Sequence, residues 1–194
     1  MRSELGPLTE SIRHCITGIG VHAVRDVLPA ELRKAPAPGL VLCAGVSGAL
    51  VEGLTTGEIV VATHICYGDR VFAASPLQFP GLPFRTGTVY CSPRVVSQRS
   101  ERLDIARRTG ALCVDMESGE VAQICAEMSL PVAVLRVVMD TVDDVLPEVE
   151  SPRNEAERAA LDASETREIS DEVREKSRAA RRVLQAALSA LLGV

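Results

Sequence analysis

Tryptophan is absent from this chain, and aromatics make up only 3% of its 194 residues. A core without large rings must be assembled from Val, Leu, Ile and Ala, which an apolar fraction of 46% allows. The six cysteines, at 15, 43, 66, 91, 113 and 125, form no C-x-x-C pair, so the usual zinc and dithiol-redox spacings are excluded. Most stand inside apolar runs such as LVLCAG and ALCVDM, the setting of free buried thiols in a reducing cytoplasm. There is no basic excess. A net charge of −5 argues against a general nucleic-acid surface. No apolar run is long and uninterrupted enough to span a bilayer. The opening MRSELGPLTESIRH lacks the apolar centre of a signal peptide. The expectation is a cytoplasmic protein with neither a membrane nor a nucleic-acid partner.

Several motifs are missing as well. There is no G-x-G-x-x-G. CAGVSGAL misses G-x-S-x-G because position 49 is alanine, so Ser47 is a poor candidate nucleophile. His14, His22 and His64 lack metal-like spacing, and no metal site is expected. Internal repeats and low-complexity tracts are also absent.

What remains is an alternation of strand-length apolar runs with helical patterns. The length suits one domain over residues 1–194. SIRHCITGIG reads as a strand ending in glycines, and VHAVRDVLPAEL as a short helix broken near Pro29. GLVLCAG is a buried strand closed by Gly45. GEIVVATHI, RVFAA, GTVYCS and ALCV are further strands. SERLDIARR is helical, with Ser100 as a candidate cap and Gly110 suited to the C′ position. In ESGEVAQICAEM, Val121, Ile124, Cys125 and Met128 share a helical face. LPVAVLRVVM is the continuous apolar strand that a parallel sheet buries on both faces. Residues 143–153 read as a loop. Beyond them Val173, Ala180, Val183, Leu184, Ala187, Leu188 and Leu191 make an amphipathic stripe. The pattern predicts an α/β fold with a mainly parallel sheet.

ALCVDMESGEVAQICAEMSLPVAVLRVVMDTVDD reads as strand, helix, strand. In such a βαβ crossover the two strands run the same way, so Glu117 and Asp140 share one rim of the sheet, where open α/β sheets bind ligands. The plain alternatives are that Asp115 or Glu117 caps the helix and that Asp140 caps a turn. The small residues of CAGVSGAL let backbone amides approach a ligand, or simply form a tight turn.

Taken in order, TGIGVHAV, LCAGVSGALVEGLTTGEIVVATH and GALCVDMESGEVAQICAEMSLPVAVLRVVMDTVDD resemble the nucleoside phosphorylase and nucleosidase superfamily. Within it the chain is most similar to methylthioadenosine/S-adenosylhomocysteine nucleosidases and to a hopanoid-associated branch. VDMES and LPVAVLRVVMDTVDDVLP are similar to hopanoid-associated adenosylhopane nucleosidases. The resemblance implies a three-layer α/β/α fold around a twisted sheet, a homo-oligomer of two or more chains, and a small-molecule nucleoside as partner, with no cofactor. It implies hydrolysis of the N-glycosidic bond of an adenine-containing, 5′-substituted nucleoside. By position, Glu117 would accept hydrogen bonds from the ribose hydroxyls and Met116 would pack on the sugar. Asp140 would meet N7 of the purine. Val95 and Val96 would contact the base, and Ala44 and Gly45 would line the sugar and nucleophile side.

The residue types suit that reaction, because a carboxylic acid at N7 neutralises the departing base. Asp140 must then be protonated, and burial favours this, whereas Glu117 must stay ionised to accept from two hydroxyls. Where phosphorylases place a phosphate ligand, this chain has Val46, which favours water as nucleophile. The nucleosidases also have a first strand that supplies a water-activating glutamate, and nothing before Ile12 resembles it. A non-catalytic nucleoside-binding or scaffold relative is therefore the alternative, and a phosphorylase the second. The segment from Arg70 to Gly87 holds all three phenylalanines, and reads as a pocket lid, a subunit contact or a surface loop.

Overall fold

The computed structural model describes residues 13–78, 81–144, 146, 157 and 171–193. Among these are four helices, α1 (Val21–Leu32), α2 (Arg99–Thr109), α3 (Ser118–Glu127) and α4 (Asp171–Leu192). The six strands are β1 (Val41–Ala49), β2 (Ile59–Tyr67), β3 (Arg70–Ala73), β4 (Arg85–Cys91), β5 (Ala111–Asp115) and β6 (Val132–Asp140).

The strands form one mixed sheet in the order β3-β2-β4-β5-β1-β6, with a further pairing between β2 and β6. That pairing closes five strands into a ring. The first part of β2 (Ile59 to Val61) meets β6 antiparallel, and its second part (His64 to Tyr67) meets β3. The parallel ladders, β1 with β6, β2 with β4 and β4 with β5, are the longer ones in total.

Alternation along the strands divides the core into layers. Val132, Val134 and Val138 of β6 face a cluster with Val24 and Leu28 of α1 and Val121 and Cys125 of α3. Ala133, Leu135 and Val137 face the other way, against Ala180, Leu184, Ala187 and Leu188 of α4. The stripe expected on the last helix is thus the buried one. A smaller cluster joins Ile105 of α2 to Ala111 and Val114 of β5.

Four local expectations change. Residues 13–20 contain no strand, and Ile16 is 43% exposed. The rest of the segment expected to be that strand, residues 11 and 12, lies outside the described residues, as do residues 145 and 147–153 of the expected loop. Helix α1 runs through Pro29 to Leu32, since burial of Leu28 and Leu32 offsets the one hydrogen bond that proline forfeits. Ser100 lies inside α2, which starts after an extended Gln98 without a side-chain cap. Gly110 does take the left-handed C-terminal position, at φ 69°. Finally, β1 continues past Gly45 to Ala49, because β6 remains paired with it as far as Asp140.

All six cysteines are free thiols. Four are buried, while Cys15 and Cys43 are partly exposed. The Arg70–Gly87 segment starts as β3, tucks Leu77 into the α4-side core and leaves Phe84 on the surface. No helix among the described residues is long and apolar enough to cross a membrane.

Candidate functional site

The expected strand-helix-strand unit is present, but its two strands do not run the same way. Strand β5 pairs antiparallel with β1, at Gly48–Val114 and Ala49–Cys113, while β6 pairs parallel with β1. A shared rim of two like-directed strands therefore does not bring Glu117 and Asp140 together. What they share is β1, which lies between β5 and β6 in the sheet.

Asp140 reaches β1 through a bulge. The ladder pairs Ser47 with Val138 and then Gly48 with Asp140, so Met139 is the extra residue. The shift places Asp140 beside Gly48, where a Cβ would lie 2.7 Å from its Oδ2. A glycine here leaves space for the carboxylate. Asp140 is only 3% exposed. Its Oδ2 lies 2.6 Å from Nη1 of Arg102, which is itself 1% exposed. Burial pushes the Asp140 carboxyl above its ordinary value, Arg102 pulls it back, and Asp144 and Lys176 add smaller opposing effects.

The second group is centred on Arg136, the β6 residue paired with Gly45. Its guanidinium lies across Gly45, within the space that a side chain there would need. Nε is 2.6 Å from Asp115 Oδ2, and Nη2 donates to Cys43 Sγ at 3.0 Å. The other oxygen of Asp115 accepts from the amides of Glu117 and Ser118 and from the Ser118 hydroxyl. Asp115 is thus a helix-start residue, as its position suggested, and also the counter-ion of a buried arginine. Burial raises the Cys43 thiol to about 12, so it is neutral next to this cation.

Glu117 stands at the turn between β5 and α3. One oxygen accepts from the Gly20 amide at 2.6 Å, at the start of α1, and the other from the Met116 amide at 3.4 Å. Burial raises its pKa, Arg136 opposes this, and Asp115 adds to the rise. Glu120 is more than a helix-start residue. It is 2% exposed, paired through both oxygens with Arg25 and bonded to the Tyr67 hydroxyl, which ties α3 to α1 and β2.

Of the other expected site residues, Met116 is partly exposed, and so are Gly45 and Val46, while Ala44 is exposed in the middle of β1. Val95 is partly exposed. Val96 is buried with Leu50 and Ile105, and its carbonyl accepts from Arg102. The sequence reading missed Arg102 and Arg136. The signal for Arg136 was visible, because it is the single charge in the apolar run VAVLRVVM. Arg102 sits among the charges of SERLDIARR, where nothing separates it from a surface residue.

A ringed mixed sheet flanked by helices, with buried carboxylates and an arginine gathered on one central strand, defines an α/β protein of the phosphorylase type. A sequence profile of the phosphorylase superfamily matches residues 70–192, and the chain belongs to that superfamily. It is 28% identical over 115 residues to a 5′-methylthioadenosine/S-adenosylhomocysteine nucleosidase of Thermotoga maritima, a match covering 52% of each chain. The nucleosidase of the same name from Staphylococcus epidermidis is 24% identical over 159 residues, which cover 66% of this chain and 68% of that one. This chain spans little more than half the length of the first relatives it matches. In fold it is similar to the Neisseria meningitidis nucleosidase solved with methylthio-immucillin-A, with a TM-score of 0.64 at 20% identity over 89% of this chain and 78% of that one. The futalosine hydrolase of Helicobacter pylori gives a TM-score of 0.61 at 15% identity, covering 89% and 77%.

Proposed function

We propose that this chain hydrolyses the N-glycosidic bond of an adenine-containing nucleoside with a substituted 5′ carbon. The observation that carries this reading is the gathering of two buried charged groups along one strand, Asp140 beside Gly48 and the Arg136 group beside Gly45 of β1. At ~3.3 Å per residue, these two positions are about 10 Å apart along the strand. Asp140 protonates N7 of the leaving base, with Val95 and the Val96 backbone alongside. Glu117 accepts the ribose hydroxyls, with Met116 against the sugar. Ala44 and Gly45 line the side from which water attacks. No cofactor takes part.

Local charge favours water over phosphate. Arg136 is already matched by Asp115, and Glu117 adds a second carboxylate nearby. Val46 offers no hydroxyl. A phosphate dianion would enter a neighbourhood that is neutral or negative, and burial strengthens that repulsion.

The test is incubation with methylthioadenosine, S-adenosylhomocysteine or adenosine, with and without phosphate, while free adenine is followed. Adenine release at equal rates in both conditions is expected. A requirement for phosphate would replace this reading with a phosphorylase, and tight binding without release would replace it with a nucleoside-binding relative. The sugar side has its own test in Glu117→Ala. Loss of a charge-assisted acceptor for two hydroxyls should weaken nucleoside binding by about 1.5–3 kcal/mol, roughly 10- to 150-fold. Calorimetry that finds unchanged affinity would leave Glu117 as a helix-start residue only.

A further inference from the structure

Arg102 is a buried cation on a helix whose other arginines are on the surface. Its Nη1 meets Asp140 Oδ2 at 2.6 Å and also donates to the carbonyls of Thr141 at 2.5 Å and Ala49 at 3.5 Å. Its Nε donates to the carbonyl of Val96 at 2.8 Å. These acceptors belong to the end of β1, the end of β6 and the loop before α2. One guanidinium thus joins the three segments on the base side of the site. Arginine does not lose its proton in a protein, so the charge next to Asp140 is permanent.

We propose that Arg102 is a positioning residue that holds Asp140 as an anion in the empty site and fixes it against the base-side loops, so that Asp140 takes up a proton before it can donate one. This rests on the assignment of Asp140 as the acid. An ionised carboxylate cannot protonate N7. The proton must arrive with the nucleoside or from solvent, and the acid form is the minor one at neutral pH.

Among the described residues, the groups facing Asp140 from its packed neighbours are few. Helix α2 brings Arg102, the turn after β6 brings Asp144, and α4 brings Lys176. Strand β1 brings only Gly48 and the Ala49 carbonyl. Lys176 pairs with Asp144 at 2.6 Å, so these two charges largely offset each other. Arg102 is left as the dominant charge acting on Asp140.

The experiment follows the Asp140 side-chain carboxyl by carbon NMR across pH in the full chain, with the signal assigned through Asp140→Asn. In the unmutated protein Asp140 should be ionised at pH 7. A neutral carboxyl there overturns the proposal without any variant. Arg102→Gln keeps donors for the Val96 and Thr141 carbonyls but removes the charge, and should raise the titration midpoint by about 1–3 units. Arg102→Lys should leave it near the original. An unchanged midpoint in Arg102→Gln also overturns the proposal.

The pH profile of kcat/KM for adenine release gives a second readout. Activity falls as pH rises and Asp140 ionises, so this alkaline limb should move up by the same 1–3 units in Arg102→Gln and stay in place in Arg102→Lys. A purely structural role would lower the rate without moving the limb. Should no adenine appear while the carboxyl titrates as expected, the catalytic reading falls and the clamp stands.

Discussion

Asp140→Asn should reduce adenine release by about 10²–10⁴-fold, the usual weight of a general acid. It should also cost the fold about 3–5 kcal/mol, because it leaves a buried partner charge uncompensated. The two effects have different origins and can be separated. The first arises because an amide cannot donate the proton that N7 needs as the C–N bond breaks. The second arises from Arg102, which is 1% exposed and would face a neutral amide in place of a carboxylate. Initial rates measured well below the unfolding midpoint report the first, and denaturant titration reports the second. Full activity in the variant would remove Asp140 from the mechanism. A stability loss below about 1 kcal/mol would show that water or backbone carbonyls compensate the freed guanidinium.

Arg136→Met should be the most destabilising change on the sugar side, also by about 3–5 kcal/mol, since Asp115 is then a buried carboxylate without its cation. The sign with pH can be worked out. Burial already raises Glu117 above its ordinary 4.5, and Arg136 limits that rise. Without Arg136, Glu117 holds its proton still more tightly in the folded state than in the unfolded one. Folded chains then carry the extra proton, and stability falls as pH rises through the folded-state value. The deficit of Arg136→Met relative to the unmutated protein should therefore be larger at pH 8 than at pH 5. Chemical denaturation at the two pH values checks this, and an equal deficit at both would mean that Arg136 acts by packing alone. Protonation of Glu117 in the variant should also weaken nucleoside binding, as is expected of Glu117→Ala.

Much of this arrangement could be read from composition and spacing. The run VAVLRVVM is apolar enough to be a fully buried strand, and it is β6. The spacing of Val121, Ile124 and Cys125 marks the inner face of α3, and Gly110 marks the end of α2. Strand direction was not readable. The antiparallel contact of β5 with β1 rests on two residue pairs, and nothing in ALCV distinguishes one direction from the other. The same holds for closure through β2, whose two halves take different partners on either side of Thr63, and nothing in IVVATHICY names those partners. The Met139 bulge is set by long-range pairing and has no local signature. Pro29 misled for a simple reason: a proline rule describes one lost hydrogen bond, while the burial of Leu32 is a tertiary effect. Arg102 was hidden because a charged side chain is normally assigned to the surface, whereas Arg136 stood out as the one charge in VAVLRVVM. Only the folded chain reveals the carboxylate beside each.

Closure of the sheet bears on how anything reaches the site. In an open sheet an edge strand can peel away and admit a ligand between strands. Here β1 and β6 are each held along both sides, so parting them at Gly45 or Gly48 would break the ring that also includes β2. A nucleoside bound as proposed above would therefore have to enter from beyond the strand ends and not between β1 and β6. Arg102 bonds to the carbonyls of Val96 and Thr141, so the tie that holds Asp140 also staples together the segments that follow β4 and β6.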